Sequence, residues 1–524
     1  MALTMVDEGA KVEPSLGIGD EGPTPDFLLV QMIKDITAER SRYELLSLYV
    51  EGNPPKPRPP KSAVKGSTWT DEFERFQKAA RTNFAELVVG AALDRTGIVG
   101  FRTAAAGDEE GDVEADKMWD ENDMDVLASR TLSDMYTFGK GYLLADPMVK
   151  RAKNFRPWQA NVVRDSVGDP VVGLNVEHRA LENRDYAYLW QRDMDDYGVG
   201  IGPVYLHIAV RDRDNRARRG SLSESEVPLG TYMHQRWHWW KTEVLDLDYV
   251  PLIDFENREG VGEFERHIDV LDRINHMLLQ RVVIATMQAF KQRAMMGKFP
   301  KYDEKGNVID YDAMFPSDPA SLWLLPEGAE MWESGVTNIQ DILASVKDDV
   351  RDLAAVTRTP MTYFSPDSAN GSAEGASLQR EGYTNKIAER KKRTEGRWRR
   401  FMSLMFEIKG DKERSKVNEI EVLWVSEPLS VAEKYSAAAQ AQAFLPLKTI
   451  MREVLGFSPK QIRAAELERI SQALTSTLQA SQQATGQMAG PGASVTPLQR
   501  NAAANAQVAK TNGATSRATG VSAS

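Results

Sequence analysis

The 524-residue chain has no cysteine. Disulfides and thiolate metal sites are therefore excluded, and a reducing compartment is the natural setting. Histidine is scarce as well, at six residues. Only His234 and His238 stand close together, in a strand-like run beside Trp237, Trp239 and Trp240. Two imidazoles are too few for zinc, which takes three or four protein ligands. The three tryptophans are expected in a core or a subunit interface. No G-x-x-x-x-G-K-[ST] occurs, and Gly139-Lys140-Gly141 lacks the hydroxyl that would hold magnesium. H-E-x-x-H and G-x-S-x-G are missing too. The expectation is a non-enzymatic protein with no metal and no cofactor. The acids of MWDENDMDV (Asp120, Glu121, Asp123, Asp125) lack the alternation of a calcium loop and are expected on a solvated face. No apolar run reaches the roughly 18 residues of a membrane span; the longest candidate, Met277 to Phe290, is interrupted by Gln280 and Arg281. No membrane partner is expected. The opening MALTMVDEGAKVEPSLGIGDEG has neither the basic cap nor the apolar centre of a signal peptide. A surplus of positive charge is also lacking: 65 Lys and Arg face 76 Asp and Glu, for a net −11. Proteins that grip DNA do so through basic side chains that displace counterions, so tight phosphate binding is not expected.

What is present is long-range helical order around a strand-rich middle. With 42% hydrophobic residues the chain can bury a sizeable core, and its length allows two to four domains. The fold class expected is α+β, mainly helical. Residues 1–24 read as a flexible arm, followed by a helix to about residue 49. EGNPPKPRPPKS then reads as a stiff polyproline linker. A helix is expected over 70–96 with Thr70 as N-cap, then the strand GIVGFR, then a helix from Val113 to Phe138. From there to about Leu252, runs such as QANVVRD, VVGLNVEHR, YAYLWQR, VYLHIAV and TYMHQRWHWW predict antiparallel strands. Between Glu263 and Met296 there is no Pro or Gly, and Phe264, Ile268, Leu271, Ile274, Leu278, Val282, Ala285 and Ala289 make one stripe at helical spacing. One long helix is expected over 262–297. A compact insert (298–336) and a second helix (337–358), opened by a Thr337–Gln340 capping box, come next. The break 359–375, TPMTYFSPDSANGSAEG, is too long for a routine connection and carries an exposed-looking Tyr363–Phe364 pair. A third long helix from 376 holds Lys386, Arg390, Lys391, Lys392, Arg393, Arg397, Arg399 and Arg400, the one strongly basic patch. It leads to the strand EIEVLWVS and two further helices. Beyond about 475 the chain is Ala, Ser, Gln, Thr and Gly, a composition expected to be disordered.

Several motifs, in this order, resemble one family. They are ARTNFAELVVGAALDRTGIVGFR, then MWDENDMDVLASRTLSDMYTFGKGYLLA, then VPLIDFENREGVGEFERHIDVLDRINHMLLQ, then TPMTYFSPDSANGSAEGASLQRE, and last FLPLKTIMREVLGFSPKQI. Together they resemble the portal proteins of tailed double-stranded DNA bacteriophages, of the siphovirus type common in phages of actinobacteria, over roughly residues 26–470. The resemblance implies a portal fold with wing, stem, clip and crown regions in a ring-forming subunit. It divides the chain into a wing (25–261), stem helix 1 (262–297), a clip (298–336), stem helix 2 (337–358) and a tunnel loop (359–375). A long wing helix with its return strand (376–430), a crown (431–475) and a disordered tail (476–524) complete it.

By the same resemblance the function is a dodecameric ring at one capsid vertex, the channel for DNA packaging and ejection. Its implied partners are other copies of itself, double-stranded DNA in passage, the terminase large subunit, a head–tail connector or adaptor, and the major capsid and scaffolding proteins. Assembly would take place in the host cytoplasm, and the final location would be the virion. Implied loop residues are Tyr363, Phe364, Ser365, Pro366, Asp367, Ser368, Asn370 and Gly371. Channel-wall candidates are Asp348, Asp349 and Asp352. Stem packing would use Phe264, Ile268, Leu271, Ile274 and Leu278. Lys386, Arg390, Arg393 and Arg397 are candidates for contact with DNA or a neighbouring subunit. Another head-assembly ring protein, such as an adaptor or minor capsid protein, would lack the paired stem helices and long loop. A terminase or nuclease would need the phosphate and metal motifs that are missing.

Overall fold

The computed structural model describes residues 8–12, 18–19, 22–56, 68–105, 111–212, 236–289, 293–296, 301–302, 305–310, 330–333, 335, 338–365, 373–425, 431–457 and 459–488. The chain forms two compact units, Met1–Pro428 and Leu429–Ser524.

The first unit mixes helices and sheets. Short strands β1 (Ile18–Gly19) and β2 (Gly22–Pro23) pair with each other. Helix α1 (Pro25–Ala38) follows; Thr24 caps it by accepting from Phe27 N at 3.3 Å, and Pro25 fills the first turn, where no N–H is needed. Three spans expected as single helices are each broken in two. The first breaks at Glu39, after which α2 covers Arg40–Val50. The second becomes α3 (Thr68–Ala79) and α4 (Phe84–Leu93), because Asn83 leaves helical geometry and caps α4 by accepting from Glu86 N. The third becomes α5 (Val113–Glu121) and α6 (Met124–Phe138), parted by Asp123 in the left-handed region at φ 54°.

The strands are β3 (Ile98–Arg102), β4 (Lys140–Asp146), β5 (Arg151–Phe155), β6 (Ala160–Arg164), β7 (Pro170–Arg179), β8 (Arg184–Met194), β9 (Gly200–Asp212), β10 (His238–Leu245) and β11 (Leu252–Glu256). β6 to β10 form an antiparallel meander in sequence order, and β11-β4-β5 make a smaller sheet. Both faces of the meander are covered. On β8, Ala187 and Leu189 enter the main core, while Tyr186 and Trp190 enter a second cluster with Leu206 and Ile208. That alternation is the period-2 signal the sequence carried.

The outer edge of β10 is not bare. Gly9 N and Val12 N donate to the carbonyls of Trp239 and Trp237, and Trp239 N donates to Ala10 O at 2.9 Å. Part of the expected flexible arm is therefore strand-paired. Trp237 and Trp239 are buried; Trp240 is half exposed. His234 lies outside the described residues, and among those described no group of three metal-ligating side chains occurs.

α7 (Ile268–Ala289), β12 (Arg293–Met296), β13 (Glu330–Glu333) and α8 (Ile339–Val356) come next. The short helix α9 (Met361–Phe364) and the 37-residue α10 (Ala373–Lys409) follow. At 1.5 Å per residue α10 is about 55 Å long. Its buried end packs Trp398, Phe401, Met405 and Phe406 into the main core, with the Trp398 ring 4.5 Å from Phe255. β14 (Glu421–Trp424) then returns to pair with β3, and Arg102 meets Glu421 at 2.5 Å.

The second unit holds α11 (Val431–Ala441), a π-helical turn at Ile450–Val454, and α12 (Pro459–Met488). Lys448 pairs with Glu466 at 2.9 Å, and Ile450 and Ile462 are buried. α12 runs past 475, so 476–488, expected to be disordered, is helical. The rest of the expected tail lies outside the described residues.

Candidate functional site at the root of the helical pair

α7 and α8 pack on each other. α7 is shorter than expected: 22 residues, about 33 Å. Residues 262–267 form a turn ending in a 3-10 helix, and Arg293–Met296 leaves helical geometry to pair antiparallel with Glu330–Glu333. The insert expected over 298–336 therefore has a two-stranded neck. α8 starts from Asn338, whose Oδ1 accepts from Gln340 N at 3.0 Å; the expected cap, Thr337, lies outside the described residues.

The turn before α7 is welded to the end of α6. A Cβ on Gly139 would stand 2.0 Å from Gly260 O, and one on Gly262 would stand 2.2 Å from Thr137 O. No side chain fits there, which gives the GKGY and EGVG motifs a physical reason. Glu263 N donates to Tyr136 O at 2.7 Å, and Asn257 N to Gly139 O at 2.9 Å. Arg42 of α2 closes the joint from outside. Its guanidinium pairs with Glu265 and donates to the carbonyls of Phe138 and Gly260.

Inside the joint sits a buried charge cluster. Glu263 accepts from Lys386 Nζ at 2.8 Å, Arg390 Nε at 2.7 Å and Asn257 Nδ2 at 3.1 Å. Lys386 Nζ also donates to Thr357 O, at the end of α8, at 2.8 Å. One carboxylate and one ammonium thus tie together the start of α7, the end of α8 and the middle of α10. Burial pushes the Glu263 carboxyl up, but Lys386 and Arg390 outweigh it and hold the group below the ordinary glutamate range. Burial lowers the Lys386 ammonium, and Arg390 and Arg358 add to that, so Glu263 offsets only part of the cost. Glu263 is the only anion that Lys386 meets in the cluster, whereas Arg390 also pairs with the more exposed Glu389.

Several cations of the basic patch on the third long helix are therefore paired within the subunit, which bears on the expected role of two residues. Lys386 is buried against Glu263, and Arg390, partly buried, pairs with Glu263 and Glu389, so both spend their charge inside the subunit. Arg393 pairs with Glu389 at 2.6 Å, Lys391 donates to Val425 O, and Arg400 meets Asp169 at 2.5 Å over the Tyr249 ring. Arg397 makes no hydrogen bond or ion pair among the described residues. It lines a polar cavity of about 520 Å³ with Asn257, Glu389, Lys392 and Arg393.

Of the apolar stripe on α7, Leu271, Ile274 and Leu278 are buried within the subunit, as is Phe264 just before the helix; Ile268 is half-buried. Further along, Val282 is half-buried, and Ala285 is exposed. On α8, Asp349 turns toward α7 and pairs with Arg273 at 2.9 Å; Asp352, exposed, meets the same Arg273 at 3.7 Å, and Asp348, exposed, pairs with Arg351 at 2.8 Å.

The loop begins inside the fold. Tyr363 and Phe364 are half-buried rather than exposed: Tyr363 stands 6.0 Å from the Tyr383 ring, and Phe364 stands 5.5 Å from Phe84. Ser365 is half-buried. Pro366, Asp367, Ser368, Asn370 and Gly371 lie outside the described residues.

Glu263, Glu265 and Arg42 were not singled out in the sequence. A usable signal existed for Lys386: it falls on the same helical face as Tyr383, Ile387 and Thr394, all buried. A cation on an apolar stripe calls for a buried partner.

The subunit is of mixed α+β class, with a glycine-welded joint and a rooted helical pair. The chain belongs to the phage portal protein family, SPP1 Gp6-like, whose family model matches residues 30–477. It is 21% identical to the portal protein of Mycobacterium phage D29 over 364 residues, 66% of this chain and 69% of that one. Among solved structures it is similar, at 13% identity and a TM-score of 0.40, to a chain in the neck of an empty GTA particle computed with C6 symmetry, covering 77% of this chain and 96% of that one. It is a virion structural protein of the portal type.

Proposed function

We propose that the chain assembles into a closed head-to-tail ring, a dodecamer, at one capsid vertex, and that double-stranded DNA passes through the ring during packaging and ejection. α7 and α8 would be the stem, and the segment between them the clip that docks the terminase large subunit and later a head–tail connector. Residues 431–475 would be the crown. The tunnel loop would be residues 359–375, with Tyr363 and Phe364 rooting its first part in the subunit. Asp348 and Asp352 would line the channel, where a repulsive wall lets DNA slide instead of binding it. The protein would act without catalysis.

The observation that carries this reading is the helical pair itself. One end is fixed by the buried Glu263 cluster, and the other leaves half-buried apolar residues such as Val282 and Val283 for neighbouring copies. The test is the native mass of the purified protein together with electron-microscope class averages. A ring near 700 kDa, about twelve times 58.5 kDa, with a central hole is expected. A compact dimer as the largest species under every condition overturns the reading.

A further inference from the structure

The meander carries a cavity of about 180 Å³ on the face opposite the main core. This is smaller than the roughly 300 Å³ at which small-molecule sites begin, and suits a single side chain. Its walls include Leu144, Tyr188, Trp190, Ile208 and Trp240. Asn175, fully buried, also lines it. Asn175 Oδ1 accepts from Trp190 Nε1 at 2.7 Å. An indole nitrogen can only donate, so this bond fixes which end of the amide is oxygen. The other end, Nδ2, is buried and has no hydrogen-bond partner. A buried donor without a partner is costly, and the cost is recovered when an acceptor arrives.

The charges around the cavity are already matched. Lys153 pairs with Asp146 at 2.9 Å and Glu177 at 3.2 Å, Lys241 pairs with Glu243, and Arg179 pairs with Glu182 at 3.5 Å and donates to Tyr188 Oη. An ionic ligand finds no counter-charge. Among these paired charges the rim also exposes apolar groups: Met148, Val149 and Trp240 are each about half exposed. The cavity therefore fits an apolar body that ends in a neutral acceptor, which describes a tyrosine side chain.

The most exposed tyrosine among the described residues is Tyr197, at 85%. It stands at the tip of the β8–β9 hairpin, and the tip is rigid. Asp195 Oδ1 accepts from Tyr197 N at 2.9 Å and Val199 N at 2.8 Å. The adjoining β6–β7 turn grips it too: Ser166 Oγ donates to Tyr197 O, and Asp165 Oδ2 accepts from Gly200 N. A preformed knob loses little entropy on docking. Tyr197 does not line the cavity of its own subunit. A knob and a hole at different places on one surface make a heterologous contact, the kind that closes rings. We propose that Tyr197 of one copy seats in the cavity of the next, its phenolic oxygen accepting from Asn175 Nδ2.

This contact rests on the ring reading, and its test separates the two. The chain has no native cysteine, so a Tyr197→Cys, Trp240→Cys double variant carries only the two introduced thiols. On oxidation with a copper–phenanthroline catalyst in air it is expected to give a ladder of covalent multimers, while either single variant stops at dimer. Tyr197→Ser alters only an exposed tip and should require about tenfold more protein to form rings; Tyr197→Phe should fall between it and wild type. Wild-type rings that form equally well in Tyr197→Ser, with no ladder from the double variant, overturn the contact and leave the ring standing. Wild-type protein that never forms rings overturns both.

Discussion

The two ends of α7 are built on opposite principles. At its start, backbones approach so closely that only glycine fits, and Glu263 is buried against Lys386 and Arg390. Toward its far end the helix has half-buried valines, Val282 and Val283, before giving way to the β12–β13 ribbon. The first end is fixed by the subunit's own fold. The second has surface left over. A single helix can thus be an anchor at one end and an assembly surface at the other, and mutations along it should change in kind as well as in size.

The largest effect is expected at the anchor. Glu263→Ala leaves the buried Lys386 without its anion and Arg390 with only Glu389, and should cost about 3–5 kcal/mol in denaturant unfolding. Adding Lys386→Met should restore part of that, since one orphaned charge is then gone. The same carboxylate sets a pH signature. Its folded pKa lies below the ordinary 4.5, so its contribution is full above that pH and is lost as pH falls through the folded value. Glu263→Gln should flatten the acid limb of the stability profile; an unchanged limb would mean the cluster does not hold the joint.

A paired substitution sharpens the contrast. Ile274→Asp places a charge in a fully buried site and should destabilise the subunit itself by roughly 3 kcal/mol or more. Val282→Asp, two turns further on, should leave the unfolding midpoint within about 1 kcal/mol of wild type yet reduce ring formation by native mass. Equal effects on folding at both positions would erase the distinction drawn here. The smallest change is expected for Arg273→Ala, which removes a partly exposed pair between α7 and α8 and should cost about 0.5 kcal/mol or less, measured by thermal unfolding.

Much of the architecture was legible. The meander announced itself through alternation, and the helices around the loop through spacing. Breaks at Glu39, Asn83 and Asp123 were not legible, because each rests on one residue's backbone angle or cap within a stretch of good helix formers. The shortening of α7 was hidden for a different reason. Residues 262–267 carry a helical pattern, but α6 competes for their backbone hydrogen bonds through Tyr136 O. The basic patch misled because charge along one helix says nothing of what faces it. Glu263 and Arg390 lie 127 positions apart. Tyr363 and Phe364 looked like loop residues from their prolines and glycines, yet Phe84 and Tyr383 draw both rings inward.

The pairing of residues 9–12 with Trp237 and Trp239 bears on handling the unassembled protein. An uncovered outer strand invites other chains to add to it. Here the polypeptide supplies its own cover strip over the start of β10, so that part of the edge is closed to other subunits waiting for assembly. A purification tag placed so that it pulls this strip away would turn a storable subunit into a precipitating one.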